Sequence, residues 1–285
     1  MNPLYVSTTF LEGDGTSIAT ALARLSEVAA DGVELGSTHR PDPRFLEIVQ
    51  ESSWERILVH NYCPPADIPM VVNIASLDPR IAGESIVHIK RCIDFAVRVG
   101  ARLYTLHPGF MVEPDRPGST TANYDFVFSS ARYDHQAAWD RMAASLEEIL
   151  HHAAARGVPV ALESAGSMRH PDKLLLQRPE EFAELRRRFG GEIGINLNLS
   201  HTVLASRAGR FSATDLIAEI APLIRAVEVS HCDLVDDQHR ALVPDSFVFD
   251  YLPCLPDTVP LILELRNVDT VDLKYSLGLL RAEMK

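Results

Sequence analysis

Val158-Pro-Val-Ala-Leu-Glu163 and Val259-Pro-Leu-Ile-Leu-Glu264 are two short apolar runs that each end in a glutamate. Runs of this kind, bounded by turn formers, read as strands buried on both faces, as in a parallel sheet. A carboxylate that closes such a strand is heavily penalised unless something neutralises it, and a coordinated cation does so. Histidines close similar runs elsewhere: Ile57-Leu-Val-His60, Leu103-Tyr-Thr-Leu-His107 and Ala226-Val-Glu-Val-Ser-His231. Five expected strand ends therefore carry side chains suited to a metal ion.

Outward from these runs, short apolar segments alternate with longer amphipathic ones along almost the whole chain. Strands are expected at 4–10, 32–37, 57–62, 102–107, 158–163, 193–198, 225–231 and 260–264, and helices at 17–29, 43–51, 81–99, 136–156, 179–189, 214–224 and 271–283. In the 81–99 segment Ile86, Ile89, Ile93, Ala96 and Val97 fall on one stripe, and Gly100 supplies the stop. Eight strands, all but the seventh followed by a helix, predict an α/β fold: a single (β/α)8 TIM barrel over residues 1–285. An open dinucleotide-binding sheet is disfavoured, because Thr8-Thr-Phe-Leu-Glu-Gly-Asp-Gly15 lacks the third glycine of the phosphate-binding turn. Neither a repeat nor a linker divides the chain. Residues 108–131, the longest irregular stretch, read as a βα loop acting as a lid.

With 285 residues, of which 46% are hydrophobic, the chain has material for a barrel-sized core. Its formal charge of −12 provides no global field for nucleic acid, which disfavours a DNA partner without excluding a local basic patch. Four scattered cysteines, Cys63, Cys92, Cys232 and Cys254, form no CxxC pair and fit reduced thiols in a cytoplasm. The first residues lack the pattern of a signal peptide, and no apolar run is long enough to cross a bilayer, so a soluble intracellular protein is expected. The sequence leaves the oligomeric state open.

Barrels of this kind do their chemistry at the carboxyl ends of the strands, where residues distant in sequence converge. The candidates at that rim are His60, His107, Glu163, Asn198, His201, His231, Asp237, His239 and Glu264. Mixed imidazole and carboxylate donors suit zinc, manganese, iron or cobalt better than calcium. Taken singly, a strand-end histidine is also a common hydrogen-bonded structural residue; a metal is indicated because so many share one rim. His88, His135, His151, His152 and His170 lie in helical or loop stretches and read as solvated. Arg169, His170 and Lys173, after the fifth strand, are candidates to hold a substrate phosphate, with a solvated charged loop as the alternative. Cys232 reads as a buried inert thiol, and Trp54 and Trp139 as packing residues.

Several pieces together resemble the xylose isomerase-like TIM barrels, which include sugar-phosphate isomerases and epimerases and endonuclease IV. These are Val59-His60-Asn-Tyr, Val72-Asn-Ile-Ala-Ser76, His107-Pro-Gly109, Ala161-Leu-Glu163-Ser-Ala-Gly166, Asn198-Leu-Ser-His201, Ser230-His231-Cys-Asp233, Asp237-Gln-His239 and Pro260-Leu-Ile-Leu-Glu264. The resemblance implies a divalent ion on Glu163, Asn198, His231 and Glu264 in the isomerase and epimerase branch. The endonuclease branch implies up to three ions on all nine rim residues. Asn198 stands where both branches carry an aspartate, so the site loses a negative charge.

The resemblance implies a small sugar or sugar phosphate as substrate, with Glu163 and Glu264 moving a proton between carbon and oxygen on opposite faces. The alternatives are phosphodiester hydrolysis at abasic DNA, a metal-binding barrel without turnover, and a lyase or iron oxidase on the same rim. Against DNA, His39-Arg40 is the only basic candidate near the mouth for entering a duplex.

Overall fold

The computed structural model describes residues 2–11, 16–68, 70–113 and 132–284. Within them eight parallel strands close a barrel in sequence order: β1 (Leu4–Ser7), β2 (Gly32–Leu35), β3 (Ile57–His60), β4 (Tyr104–Leu106), β5 (Val160–Glu163), β6 (Gly194–Asn198), β7 (Ile224–Val229) and β8 (Leu261–Leu263). Tyr5 pairs with Ile262 where β1 meets β8, so no strand edge remains. All eight expected strands are present, each somewhat shorter than its apolar run. The first stops at Ser7, whose hydroxyl accepts from the Thr9 amide and caps a 3-10 turn over Thr8–Phe10.

The helices among the described residues are α1 (Ile18–Leu25), α2 (Phe45–Glu51), α3 (Pro79–Arg98), α4 (His135–Ala154), α5 (Pro179–Phe189), α6 (Leu199–Gly209), α7 (Ala213–Ile220), α8 (Val248–Tyr251) and α9 (Thr270–Glu283). The α6 helix has no counterpart in the sequence reading. It starts directly off β6, with Asn198 serving both as last strand residue and as N-cap, so no turn residues mark the boundary. In α3 the Asp78 carboxylate caps the Arg80 amide at 2.8 Å, and Ile86, Ile89, Ile93 and Ala96 are buried as expected. Val97 is 45% exposed, because the buried stripe is centred nearer Cys92 and leaves it past the edge. His88 also departs from expectation: it is buried, 3.5 Å from Cys92 Sγ, and burial lowers its pKa. His135 Nε2 lies 2.8 Å from Glu181 Oε1 and His152 Nε2 3.0 Å from Asp94 Oδ1, so neither ring is simply solvated.

The strands are buried on both faces, and residue parity divides those faces. Tyr5, Leu58, Leu103, Ala161, Ala226 and Ile262 fill the interior of the barrel as one small cluster. Their sequence neighbours, among them Val59, Leu162, Val227, Val229 and Leu263, belong to the larger core between strands and helices. Two residues further along the inward positions come His60, Thr105, Glu163, Glu228 and Glu264. The apolar floor thus ends at a polar layer beneath the carboxyl-end mouth.

Of the expected lid, residues 114–131 lie outside the described residues. Before them, Phe110 bridges to Leu174 and the Met111 amide donates to the Lys173 carbonyl at 2.8 Å, which ties the start of this loop to the loop after β5. All four cysteines are free thiols. No helix among the described residues is long and apolar enough to cross a membrane.

Candidate metal centre

His60 from β3, His107 after β4, Glu163 from β5, His201 from α6, Asp237 and His239 from the loop after β7, and Glu264 after β8 line one cavity of about 350 Å³. Seven of the nine predicted ligands therefore converge at the mouth.

Glu163 is the hub. Its Oε1 accepts from Asn198 Nδ2 at 3.1 Å and lies 3.1 Å from His201 Nδ1. Its Oε2 is buried without a hydrogen-bond partner among the described residues, 3.6 Å from His60 Nε2 and 3.4 Å from His107 Nδ1. Burial pushes the Glu163 carboxyl up, but His107, His201 and His60 together outweigh it and hold the group below the ordinary carboxylate range. Desolvation lowers His107 to about 4, which leaves its ring neutral and available as a donor.

A second group stands opposite. One oxygen of Asp237 lies 2.8 Å from His201 Nε2 and 2.7 Å from His239 Nε2. Each ring turns its other nitrogen to a backbone carbonyl, His201 Nδ1 to Ser164 at 2.9 Å and His239 Nδ1 to Glu264 at 3.0 Å. Acceptors at both nitrogens favour the imidazolium: burial opposes the charge, yet Asp237, with Glu163 or Glu264, raises both pKa values. Burial likewise opposes the Asp237 charge, and the two rings override it and hold that carboxyl well below its usual value. Glu264 lies 3.2 Å from His239 Nδ1 and 3.3 Å from Arg266 Nη2; these two partners outweigh burial and lower its pKa.

The residues fit a divalent cation. Donor atoms of His60, His107 and Glu163 lie within 4.8 Å of one another, as do those of His201, Asp237 and His239. Ligands about 2.0–2.2 Å from an ion lie roughly 3 to 3.5 Å apart, a spacing that small side-chain shifts reach. Two further features agree: the unpartnered Glu163 Oε2, and the carbonyl contacts of His201 and His239, which hold a proton on Nδ1, so that a metal can take the place of the proton on Nε2. Gly166 makes the packing possible, since a Cβ there would meet the His201 carbonyl oxygen at 1.8 Å.

Two predicted ligands are not brought to this cavity. Asn198 is buried below it; its Oδ1 caps α6 by accepting from the His201 amide at 3.2 Å, and its Nδ2 donates to Glu163 and Glu228. The carbonyl oxygen expected to serve a metal is thus committed elsewhere. His231 follows Val227 and Val229 in outward parity, pairs through its backbone with Arg240, and sets its ring 6.1 Å from that of Phe247.

Among the expected phosphate-binding residues, Arg169 and His170 line the cavity, with Arg169 donating to Asp236 at 2.7 Å; Lys173 is half-buried outside the lining. The basic candidate His39 is a core residue, 2.7 Å from the Thr8 hydroxyl and lowered by burial to about 4.

The sequence reading missed Glu34, Glu228 and Arg266. Val33-Glu-Leu35 and Val227-Glu-Val229 place a glutamate between two outward apolar residues, and that alternation was the available signal. Burial raises Glu228 well above the ordinary range, with Glu163, Glu264 and Glu34 adding to it. It raises Glu34 similarly, with Glu264 and Glu163 reinforcing the shift and the Ser7 hydroxyl opposing it.

Residues 22–253 match the family model described as xylose isomerase-like TIM barrel. The chain belongs to that family. This xylose isomerase-like barrel also matches an uncharacterized protein of Methanocaldococcus jannaschii, 25% identical over 165 residues that make up 56% of this chain; the match spans about half of that relative, 53% of its length. Among solved structures, a D-tagatose 3-epimerase-like protein superposes with a TM-score of 0.75 at 18% identity, covering 99% of this chain and 97% of the other. D-psicose 3-epimerase of Clostridium cellulolyticum, solved with D-tagatose, gives 0.72 at 11% identity, with 99% of each chain covered. A Thermus thermophilus protein soaked with ZnCl2 gives 0.64 at 19%, with 98% of each covered. At these identities the likeness is one of fold.

Proposed function

We propose that this barrel is a divalent-metal-dependent isomerase or epimerase of a small sugar, sugar phosphate or related polyhydroxylated metabolite. The observation that carries the reading is the pair Glu163 and Glu264. They come from β5 and β8, which are not neighbours in the barrel, and line one small polar cavity, with partners that lower the pKa of each. A cavity of about 350 Å³ is at the small-metabolite end of the usual range. The sugar 3-epimerases among the structural neighbours support the same class.

His60, His107 and Glu163, together with His201, Asp237, His239 and Glu264, would hold the cation. When bound, it supplies polarisation of a carbonyl and acidification of the adjacent hydroxyl. Proton movement falls to the chain. Glu163, anchored by Asn198 and His201, is placed to take a proton from carbon through a carboxylate lone pair that the cation leaves free; Glu264, oriented by Arg266 and His239, is placed to return one from another side. Arg169 and His170 at the lip are placed to meet a hydroxyl or phosphate, a phosphate competing with Asp236 for Arg169.

The direct test is solvent deuterium incorporation into a panel of ketoses and ketose phosphates by the Mn(II)-loaded protein, followed by NMR. Exchange is expected at the carbon beside the carbonyl, with losses of at least about 10³-fold in Glu163→Gln and Glu264→Gln. A second reading, metal-assisted phosphodiester hydrolysis, is favoured by the separation of the donors into two groups, which suits more than one ion. Nicking of an abasic duplex with no exchange in any ketose would establish it instead.

A further inference from the structure

Below the mouth lies a third set of ligand atoms. Glu34 from β2, His60 from β3 and Glu228 from β7 place one donor atom each within 4.8 Å of one another. Glu34 is 0% exposed and Glu228 1%. Neither carboxylate oxygen of Glu34 has a partner at hydrogen-bond geometry, whereas Glu163 and Asp237 each leave one buried oxygen so among the described residues. Glu228 is better supplied, with Oε1 accepting from Asn196 at 2.6 Å and Oε2 from Asn198 at 2.9 Å. His60 stands between the two levels: its Nε2 faces Glu163 at 3.6 Å, while Nδ1 faces Glu228 at 3.8 Å and the Thr105 hydroxyl at 2.8 Å.

We propose that Glu34 and Glu228, with the Nδ1 edge of His60, form a second divalent-cation site inside the barrel, beneath the cavity and sharing only His60 with the donors that line it. Two buried carboxyls with no arginine or lysine partner among the described residues can give up their protons to a divalent ion, whose two charges match the two carboxylates left behind. Its oxygen-rich donor set favours manganese, iron or cobalt over a thiophilic metal. Because a neutral imidazole serves one ion at a time, full loading leaves the cavity ion to His107, Glu163, His201, Asp237, His239 and Glu264. The deep ion is structural. It lies on the interior face, joins β2 to β7 across the barrel, and fixes the Glu228 to Asn198 contact that in turn positions Glu163.

The deep site does not depend on the reaction proposed above, and the two fail separately. Metal-stripped full-length protein is titrated with Mn(II), with bound metal counted by mass spectrometry after gel filtration and free metal by paramagnetic resonance. Wild type is expected to hold one equivalent more than Glu34→Gln/Glu228→Gln. A variant disabled at the mouth, His107→Ala/Asp237→Asn, is expected to keep that equivalent while losing ketose exchange. In chelator the Glu34→Gln/Glu228→Gln protein melts no lower than wild type, because the neutral amides replace two crowded buried acidic groups; Mn(II) then raises the melting temperature of wild type more. Equal stoichiometry and equal melting shifts in folded wild type and variant overturn the site and leave a proton-sharing carboxyl pair in its place. Should the double variant not fold, Glu34→Gln alone carries the test, with at least a tenfold loss of affinity for one equivalent expected and no loss overturning the proposal.

Discussion

Asn198 and Glu228 are register partners across β6 and β7, joined by an Nδ2–H···Oε2 hydrogen bond of 2.9 Å. The same amide donates to Glu163 at 3.1 Å, so a neutral donor sits between two buried carboxylates. An aspartate at 198 would add a third acidic group to that pocket and remove both donors. The asparagine suits Glu228: the carboxyl absent from position 198 is present one strand away.

Asn198→Asp is therefore expected to destabilise the metal-free protein by about 3 kcal/mol, the scale of an uncompensated buried charge, with a fall in melting temperature of roughly 6 to 10 °C. Divalent metal is expected to recover most of the loss, and Glu228→Gln in the same chain to recover it without metal. Calorimetry in chelator and in Mn(II) checks both. Unchanged melting in chelator would mean that the carboxylates at 163 and 228 do not sense position 198.

The fold was legible because apolar runs and amphipathic stretches alternate with so few exceptions, and the exceptions have local causes. Strand β6 passes into α6 through Asn198 with no glycine or proline between them, so neither periodicity registers the change. The mouth was legible in its histidines and in Glu163 and Glu264, because those residues interrupt or close apolar runs. Depth along the strand was not, since a strand buried on both faces shows little contrast between inward and outward positions. Hence the sequence groups His231, which the cavity lining does not include, with the site, and Glu228, in inward parity, reads as part of the run.

The cavity lining, which includes His239 and not His231, predicts different behaviour for the two. His239→Ala removes a ring that meets Asp237 at 2.7 Å and the Glu264 carbonyl at 3.0 Å, and is expected to lower metal affinity by about 10- to 100-fold. His231→Ala is expected to leave metal affinity within about twofold of wild type and to cost about 1 kcal/mol in lost contact with Phe247. Isothermal titration with Mn(II) on both variants decides the matter; equal loss in the two would return His231 to the ligand set.

The space at Gly166 predicts a different pattern. A Cβ there meets backbone, the His201 carbonyl at 1.8 Å, and not a side chain that can rotate away. Gly166→Ala must push α6 outward at its first turn, which draws His201 from Asp237 and Glu163. Overpacking of this kind costs about 1 to 3 kcal/mol, yet the larger effect is expected on turnover, a fall of at least about 100-fold in kcat with the protein still folded at 25 °C. Gly83 in α3, where nothing lies within 4 Å of the position a Cβ would take, serves as the control, its alanine variant being neutral or slightly stabilising.

Away from the mouth, Glu181 sets an acid limit on stability. Its carboxylate, 2% exposed, accepts from the Gln177 and Arg178 amides at 2.8 Å each and lies 2.8 Å from His135 Nε2, so it caps α5 and pins the start of α4 to it. Burial alone would raise its pKa; the His135 contact and the two amides overcome that and lower it below 4.5. A carboxyl that titrates lower in the folded chain than in the unfolded one stabilises above the unfolded value, and that contribution fades as pH falls through the folded value. Urea unfolding of wild type and Glu181→Gln should differ by about 1 to 3 kcal/mol at neutral pH, hold that gap down to about pH 5, and close it progressively at lower pH. A gap that stayed constant to about pH 3 would take the stabilisation away from the charge and assign it to the acceptor pattern, because glutamine keeps the shape but replaces one carboxylate oxygen with a donor.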